Sequence, residues 1–366
     1  MSIWNNANPQ LRDLVCYEPG KPIEDVAREM GLNPSDIIKL ASNENPLGPS
    51  PKAVAAMRAA LEKSHIYPDG GAYYLREAIA RKFGLERPNV ILGNGSSEII
   101  EFVGRAFLKS GDQIVVSRHA FVMYKIMAKI FGADTVEVDD PNFAHDLDAM
   151  AAAVTPRTKL IIVANPNNPT GTLASQAEID RFVAKVPENV VILFDEAYQE
   201  FLDRETDTLK FVSAGRPNVL IARTFSKIQG LANLRIGFGL GCRELVEILQ
   251  RTRAPFNCNG IAQAGALAGL QDEEHQRATR ELTKKGREYL QSTFAKLGLE
   301  FVPSHANFIL VKVGAGKALF EMLMRKGVIV RDMNAYGLPE WIRVTVGTME
   351  ENTRFVCELE AALPAS

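Results

Sequence analysis

Lys227 sits where an apolar run gives out. Val219-Leu220-Ile221-Ala222 reads as a buried strand leading into Arg223-Thr224-Phe225-Ser226-Lys227, and a second strand-like run, Arg235-Ile236-Gly237-Phe238-Gly239-Leu240, leaves the loop that follows. A lysine at the mouth of a buried strand is partly desolvated, which lowers its pKa and makes its amine a nucleophile toward aldehydes. The hydroxyls of Thr224 and Ser226 and the guanidinium of Arg235 suit a phosphate lying beside that amine. An aldehyde that carries a phosphate is pyridoxal 5′-phosphate, and these residue types point to it. A solvated loop lysine is the competing reading of this stretch alone, so the decision rests on what accompanies it.

Other stretches carry compatible chemistry. Asp195 closes the apolar run Val190 to Phe194, where an isolated carboxylate is costly unless paired. Beside a pyridine ring it pairs with the ring nitrogen and keeps it protonated, so that the ring withdraws electrons; a helix cap or surface turn is the alternative. Asn168 and Tyr198 follow the ends of neighbouring strands and can hydrogen-bond the ring 3-oxygen, although Asn167-Asn168-Pro169-Thr170-Gly171 by itself is also an ordinary turn. The turn Gly95-Ser96-Ser97, ahead of a helix, offers N–H groups and hydroxyls to a phosphate, helped by the helix dipole. In Ile342-Arg343-Val344-Thr345-Val346 the alternation sets Arg343 and Thr345 on one strand face and the aliphatics on the other. A mid-strand arginine needs an anion, and a carboxylate fits its fork; a structural salt bridge is the competing use.

These residues must be positioned by the elements between them. Strands are expected at Val90 to Leu92, Gln113 to Ser117, Thr135 to Val138, Lys159 to Ala164 and Val190 to Phe194, and helices at Pro51 to Glu62, Tyr73 to Phe83, Ile99 to Leu108, Phe121 to Phe131 and Ala177 to Val186. Continuous apolar strands alternating with helices predict an α/β fold whose mostly parallel sheet is covered by helices on both faces. In such sheets ligands bind beyond the carboxyl ends of the strands, where Gly95, Asn168, Asp195 and Lys227 all fall. After Leu270 the pattern changes. A long charged helix from about Glu273 to Leu297 precedes strand signals at Phe308 to Val311, Val328 to Val330 and Ile342 to Val346, and Thr348-Met349-Glu350-Glu351 opens a last helix as a capping box. This predicts a smaller α+β domain, with a large domain at 41–262, the small one at 263–366 and an N-terminal arm at 1–40.

Bulk properties exclude other classes. Net charge −2 gives no electrostatic case for nucleic acid or an anionic membrane as partner. Cys16, Cys242, Cys258 and Cys357 form no CxxC pair and the five histidines lack metal-ligand spacing, so neither a disulfide framework nor a metal is expected. Met1 to Asn6 has no basic region followed by an apolar core, and no apolar stretch reaches membrane-spanning length; a soluble cytoplasmic protein is the expectation.

Taken in order, Gly95-Ser96-Ser97, Asn168-Pro169-Thr170-Gly171, Asp195-Glu196-Ala197-Tyr198 and Ser226-Lys227 with Arg235 resemble the fold-type I pyridoxal-phosphate aminotransferases over essentially the whole chain. The resemblance implies Lys227 as the lysine that condenses with the cofactor aldehyde and shuttles protons, with Asp195 at the ring nitrogen. It implies Asn168 and Tyr198 at the ring oxygen, Gly95, Ser96, Ser97, Thr224, Ser226 and Arg235 around the phosphate, and Phe121 stacked on the ring. Tyr67, in Tyr67-Pro68-Asp69, matches a tyrosine that reaches the phosphate of the neighbouring subunit, implying a homodimer with shared sites and an arm that packs on the partner. Arg343 matches the arginine that binds the α-carboxylate of the amino donor or the 2-oxo acid acceptor. Tyr17-Glu18-Pro19-Gly20-Lys21-Pro22, Leu40-Ala41-Ser42-Asn43-Glu44-Asn45-Pro46-Leu47-Gly48 and Ile342 to Thr348 resemble the histidinol-phosphate branch of the family. That implies Tyr17 and Arg331 at a substrate phosphate, with Asn43 also among the substrate-binding residues. Relatives acting on phenylalanine or tyrosine are the competing substrate class.

Overall fold

The computed structural model describes residues 2–17, 19–203 and 206–363. Its first strands in chain order are β1 (Ile38–Lys39), β2 (Val90–Gly93), β3 (Gln113–Ser117), β4 (Asp134–Val138), β5 (Thr158–Ala164), β6 (Val191–Asp195), β7 (Val219–Thr224) and β8 (Gly237–Gly241). The later strands are β9 (Phe301–Val302), β10 (Phe308–Lys312), β11 (Val328–Ile329), β12 (Arg331–Asp332) and β13 (Trp341–Thr345). One sheet has the order β2-β8-β7-β6-β5-β3-β4. From β7 to β4 all neighbours pair in parallel, whereas β8 runs antiparallel to both β7 and β2.

The strands are unbroken apolar runs because both faces are covered. Ile161, Val163, Ile192, Phe194, Val219 and Ile221 face a core closed by helices Tyr73–Lys82, Gln176–Lys185 and Gly260–Leu270. Their neighbours Leu160, Ile162, Val191, Leu193, Leu220 and Ala222 face a second core, closed by helices Gly95–Phe107, Met123–Ile130 and Arg243–Gln250. This is the α/β architecture expected from the alternation. Register sets Ala164 beside Asp195 and Asp195 beside Ala222, so the strands end together and their following loops share one edge.

A four-stranded antiparallel sheet, β12-β13-β10-β9, has its own core of Ile309, Val311, Leu323, Ile342, Val344 and Phe355, against helices Glu273–Lys296, Gly316–Arg325 and Met349–Ala362. The last of these opens with the expected capping box, Thr348 and Glu351 satisfying each other's backbone N–H. The N-terminal segment is tied to this part of the chain: β1 pairs in parallel with β11, and the Thr345 N–H donates to the Leu40 carbonyl at 2.8 Å.

Three local expectations are corrected. The helix expected from Ile99 begins at Gly95, because the Glu98 carboxylate folds back to accept from the Asn94 N–H at 2.7 Å. The strand expected from Arg235 begins at Gly237; Arg235 itself is left-handed, with φ 51°. The strand expected at Val328 to Val330 stops at Ile329. It breaks at Val330, and Arg331 starts a new strand directly opposite Arg343.

The start of helix Gly95–Phe107 rests on β8. A Cβ at Gly237 would lie 2.6 Å from both the Gly95 carbonyl carbon and the Ser96 nitrogen. Gly237→Ala must therefore push helix and strand apart, costing about 1–3 kcal/mol as overpacking does. Urea denaturation checks this; an unchanged midpoint would mean that the two backbones have room to separate.

Candidate active site

A cavity of about 270 Å³ opens at the carboxyl edge of β5, β6 and β7. Its walls include Tyr17, Asn43, Ser96, Ser97, Phe121, Asn168, Asp195, Tyr198, Thr224, Ser226, Lys227, Arg235, Arg331 and Arg343. Residues up to 326 positions apart in sequence are thus brought together. Gly95 adjoins the wall through Ser96. Tyr67 does not reach it: its ring is 80% exposed and stacked on Phe256, with centroids 4.8 Å apart. Glu18, within the motif that contains Tyr17, lies outside the described residues.

At one end of the cavity, donors converge without an acid. Thr224 Oγ1 donates to Ser226 Oγ at 2.9 Å, and Arg235 Nη1 donates to the same oxygen at 3.3 Å. Arg235 Nη2 lies over the start of helix Gly95–Phe107, so close that a Cβ on Gly95 would come within 2.6 Å of it. Gly95 also has φ 77°, which only glycine adopts without strain. Among the described residues no carboxylate pairs with Arg235. A guanidinium, a helix N-terminus and hydroxyls with no protein anion form a cradle that fits a phosphate ester.

The middle of the cavity holds a buried carboxylate. Asp195 Oδ2 accepts from Tyr124 Oη at 2.8 Å and Oδ1 from the Ala197 N–H at 3.2 Å. Desolvation pushes its pKa up to about 6, with the Tyr124 and Ala197 donors pulling the other way. Opposite, the Tyr198 phenol accepts from Asn43 Nδ2 at 3.0 Å, and burial raises its pKa to about 12. Phe121 lines the cavity edge-on to Tyr124, with centroids 5.7 Å apart. A flat heteroaromatic ring, flanked by Phe121 with a basic nitrogen toward Asp195 and an oxygen toward Tyr198 and Asn168, fits these groups.

Lys227 donates from Nζ to the Ser42 carbonyl at 3.1 Å. Burial, seconded by the charge of Arg343, lowers its pKa to about 8, so a substantial neutral fraction is present near neutral pH. Partly buried and bonded to the Ser42 carbonyl, Lys227 is not a freely solvated loop lysine.

Arg343 is 7% exposed. Nη1 donates to Asn168 Oδ1 at 2.5 Å and Nη2 to the Ala41 carbonyl at 2.7 Å, while the buried Nε has no protein partner. Among the described residues no carboxylate pairs with it, which leaves the salt-bridge alternative without a partner. Burial lowers its pKa, yet it remains a cation awaiting an anion. Arg331 is its cross-strand neighbour on β12, with its guanidinium 5.9 Å from the Tyr17 ring centroid. Asn43 lines the same cavity, but its amide is engaged on both sides, by Tyr198 and by the Thr345 hydroxyl at 3.1 Å.

Two wall residues were missed by sequence reasoning. Tyr124 sits among apolar residues at helical spacing and reads as core; its only signal is a phenol that needs an acceptor when buried. Tyr336 lies in a short turn before β13 and faces Arg343, Tyr17 and Arg331, with its pKa raised by burial.

Residues 35–359 match the family described as aminotransferase class I and II. The histidinol-phosphate aminotransferase of Akkermansia muciniphila is 52% identical over 364 residues, 99% of this chain and 100% of its own. That of Moorella thermoacetica is 48% identical over 97% of this chain and 93% of its own. Among solved structures, histidinol-phosphate aminotransferase from Sinorhizobium meliloti in complex with pyridoxal-5′-phosphate superposes with a TM-score of 0.90, at 26% identity over 97% of each chain. The chain belongs to the class I and II aminotransferases and, within that family, to its histidinol-phosphate branch.

Proposed function

We propose that this protein is a pyridoxal 5′-phosphate-dependent transaminase that exchanges an amino group between L-histidinol phosphate and 2-oxoglutarate, running in histidine biosynthesis from glutamate and imidazole-acetol phosphate to L-histidinol phosphate. The observation that carries the substrate assignment is the full-length likeness to histidinol-phosphate aminotransferases, at 52% identity. Two guanidiniums facing one cavity from paired strands support it.

When bound, pyridoxal 5′-phosphate supplies an aldehyde that takes up the amine nitrogen and a ring that withdraws electrons from the carbon losing a proton. The protein's residues hold and work on that chemistry. Arg235, Ser96, Ser97, Thr224, Ser226 and the backbone at Gly95 would hold the phosphate, and Phe121 would cover one ring face. Asp195 would keep the ring nitrogen protonated, while Asn168 and Tyr198 would bond the ring oxygen. Lys227 Nζ would hold the cofactor aldehyde and, when free, would move the proton of the substrate α-carbon; its lowered pKa suits that task near neutral pH. Arg343 binds the α-carboxylate of glutamate. Arg331 and Tyr17, with Tyr336 beside them, bind the phosphate of histidinol phosphate at a position that Arg343 shares. Asn43 acts from behind, holding the Tyr198 phenol.

The active unit in this reading is a homodimer. Tyr67 and Tyr74 are 80% and 75% exposed on the monomer, an apolar surface that a second copy covers while placing Tyr67 at its phosphate cradle. The same reading divides the chain into an arm at 1–40, a cofactor-binding domain at 41–262 and a small domain at 263–366; the separate cores of the two larger sheets support two bodies, but helix Gly260–Leu270 packs in the large sheet's core, which moves their boundary past Leu270. Among the described residues no helix is long and apolar enough to cross a membrane, and a cytoplasmic location accords with four free cysteines.

Borohydride reduction of the cofactor-loaded protein followed by peptide mapping should place the pyridoxyl label on Lys227, and Lys227→Ala should lose essentially all turnover; a label on another lysine overturns the assignment. Arg331→Ala should lower kcat/KM for histidinol phosphate by about 2–4 kcal/mol while sparing donors without a phosphate. Equal losses on phenylalanine would make Arg331 structural, and a wild-type preference for phenylalanine would make the protein an aromatic aminotransferase. Mixed Lys227→Ala and Tyr67→Phe subunits should regain activity through hybrid dimers that retain one intact site. Activity no greater than the sum of the parents, with subunit exchange verified, argues against shared sites.

A further inference from the structure

We propose that Tyr124 is a positioning residue for the transamination, the hydrogen-bond donor that keeps the Asp195 carboxylate charged and aimed at the cofactor ring. The inference rests on Asp195 being the ring-nitrogen partner. Tyr124 projects from helix Met123–Ile130, and its phenol is 1% exposed. Its hydroxyl donates to Asp195 Oδ2 at 2.8 Å and is the only side-chain donor on that carboxylate among the described residues; the other is the Ala197 N–H on Oδ1. Asp195 thus has one oxygen fixed by each donor, which sets the plane of the carboxylate.

The groups around this carboxylate leave that task to the phenol. Lys227 faces it from the loop after β7 and favours its charge, but Lys227 is occupied whenever it holds the cofactor. Tyr198 lies across the cavity, and its neutral phenol donates nothing to Asp195. Glu196, next in the chain, opposes the charge, with its own carboxylate turned away to Arg223 at 2.6 Å. Burial favours the neutral acid throughout. A hydrogen bond to the charged form counters burial, and Tyr124 supplies it; Phe121 against the Tyr124 ring holds the phenol in place. Losing that donor raises the proton affinity of the carboxylate, so the shared proton shifts from the ring nitrogen toward Asp195 and the ring withdraws electrons less well.

Tyr124→Phe removes the hydroxyl and keeps the ring. In the cofactor-loaded enzyme, the pH at which the visible cofactor band changes should move upward, in the same direction as in Asp195→Asn but by less. The kcat for histidinol phosphate should fall roughly ten- to a hundredfold, as for loss of one hydrogen bond to a charged group, with KM little changed. A spectral midpoint and kcat equal to wild type in Tyr124→Phe, with Asp195→Asn shifted, would overturn the role of Tyr124. If Asp195→Asn itself leaves the spectrum unchanged, the ring-partner reading of Asp195 fails and takes this inference with it.

Discussion

Holding a carboxylate, an amine and a guanidinium out of water in one cavity is the constraint on which the rest of this structure depends. Removing any one of them from water costs several kcal/mol, and together they are tolerable only if each finds specific partners. Asp195 has two donors, Tyr124 and the Ala197 N–H. Lys227 has the Ser42 carbonyl. Arg343 has Asn168 and the Ala41 carbonyl, with Nε left over. The pKa directions show what is left uncompensated: Asp195 is raised, Lys227 and Arg343 are lowered, and in each case burial is the largest cause. These perturbations belong to a site built for ligands that bring charge with them.

Such a site needs a rigid frame on one side and an adjustable wall on the other. The parallel sheet supplies the frame, because Asp195 closes a strand fixed by its two neighbours and cannot drift. The wall comes from Leu40 to Glu44, which no apolar core encloses completely. Its backbone carbonyls serve two different parts of the chain: Leu40 and Ala41 accept from Thr345 and Arg343 of β13, and Ser42 accepts from Lys227. Asn43 then joins Thr345 to Tyr198. Arg343 and β13 are therefore linked to Asn168 and Tyr198 through bonds that are already made.

The sheet was legible because its strands must be apolar throughout, and the polar residue ending each apolar run marks where the sheet stops covering it. That is why Asn168, Asp195 and Lys227 stood out as candidates just past the strand ends, although their roles rested on the family resemblance. Arg343 was legible because strand alternation exposes a charge that no core can use. What was hidden depended on geometry without a period. Tyr124 shares a helix face with Met127 and Ala128, and only its proximity to Asp195 distinguishes it from them. Arg331 directly follows the apolar run Val328 to Val330, which reads as one strand, whereas the break at Val330 transfers it to a different sheet and sets it against Arg343. A one-residue break between strands leaves no compositional trace. Tyr67 resists interpretation in a single chain because the surface it occupies faces solvent there.

The pairing of Arg331 with Arg343 bears on specificity. Like charges directly opposite on adjacent strands repel, and Arg331 is one of the groups lowering the Arg343 pKa. An occupant with one negative charge relieves only part of that repulsion. A phosphate dianion relieves both guanidiniums and can accept from the nearby phenols of Tyr17 and Tyr336, so the ligand that gains most is one carrying a phosphate. A neutral aromatic side chain gains nothing from the second arginine and must desolvate it. Under the proposed function, the pair would discriminate by penalising the wrong occupant as well as by attracting the right one. Because the charge of Arg343 also lowers the Lys227 pKa, an anion bound there would bear on the amine that carries out the transfer as well as on substrate choice.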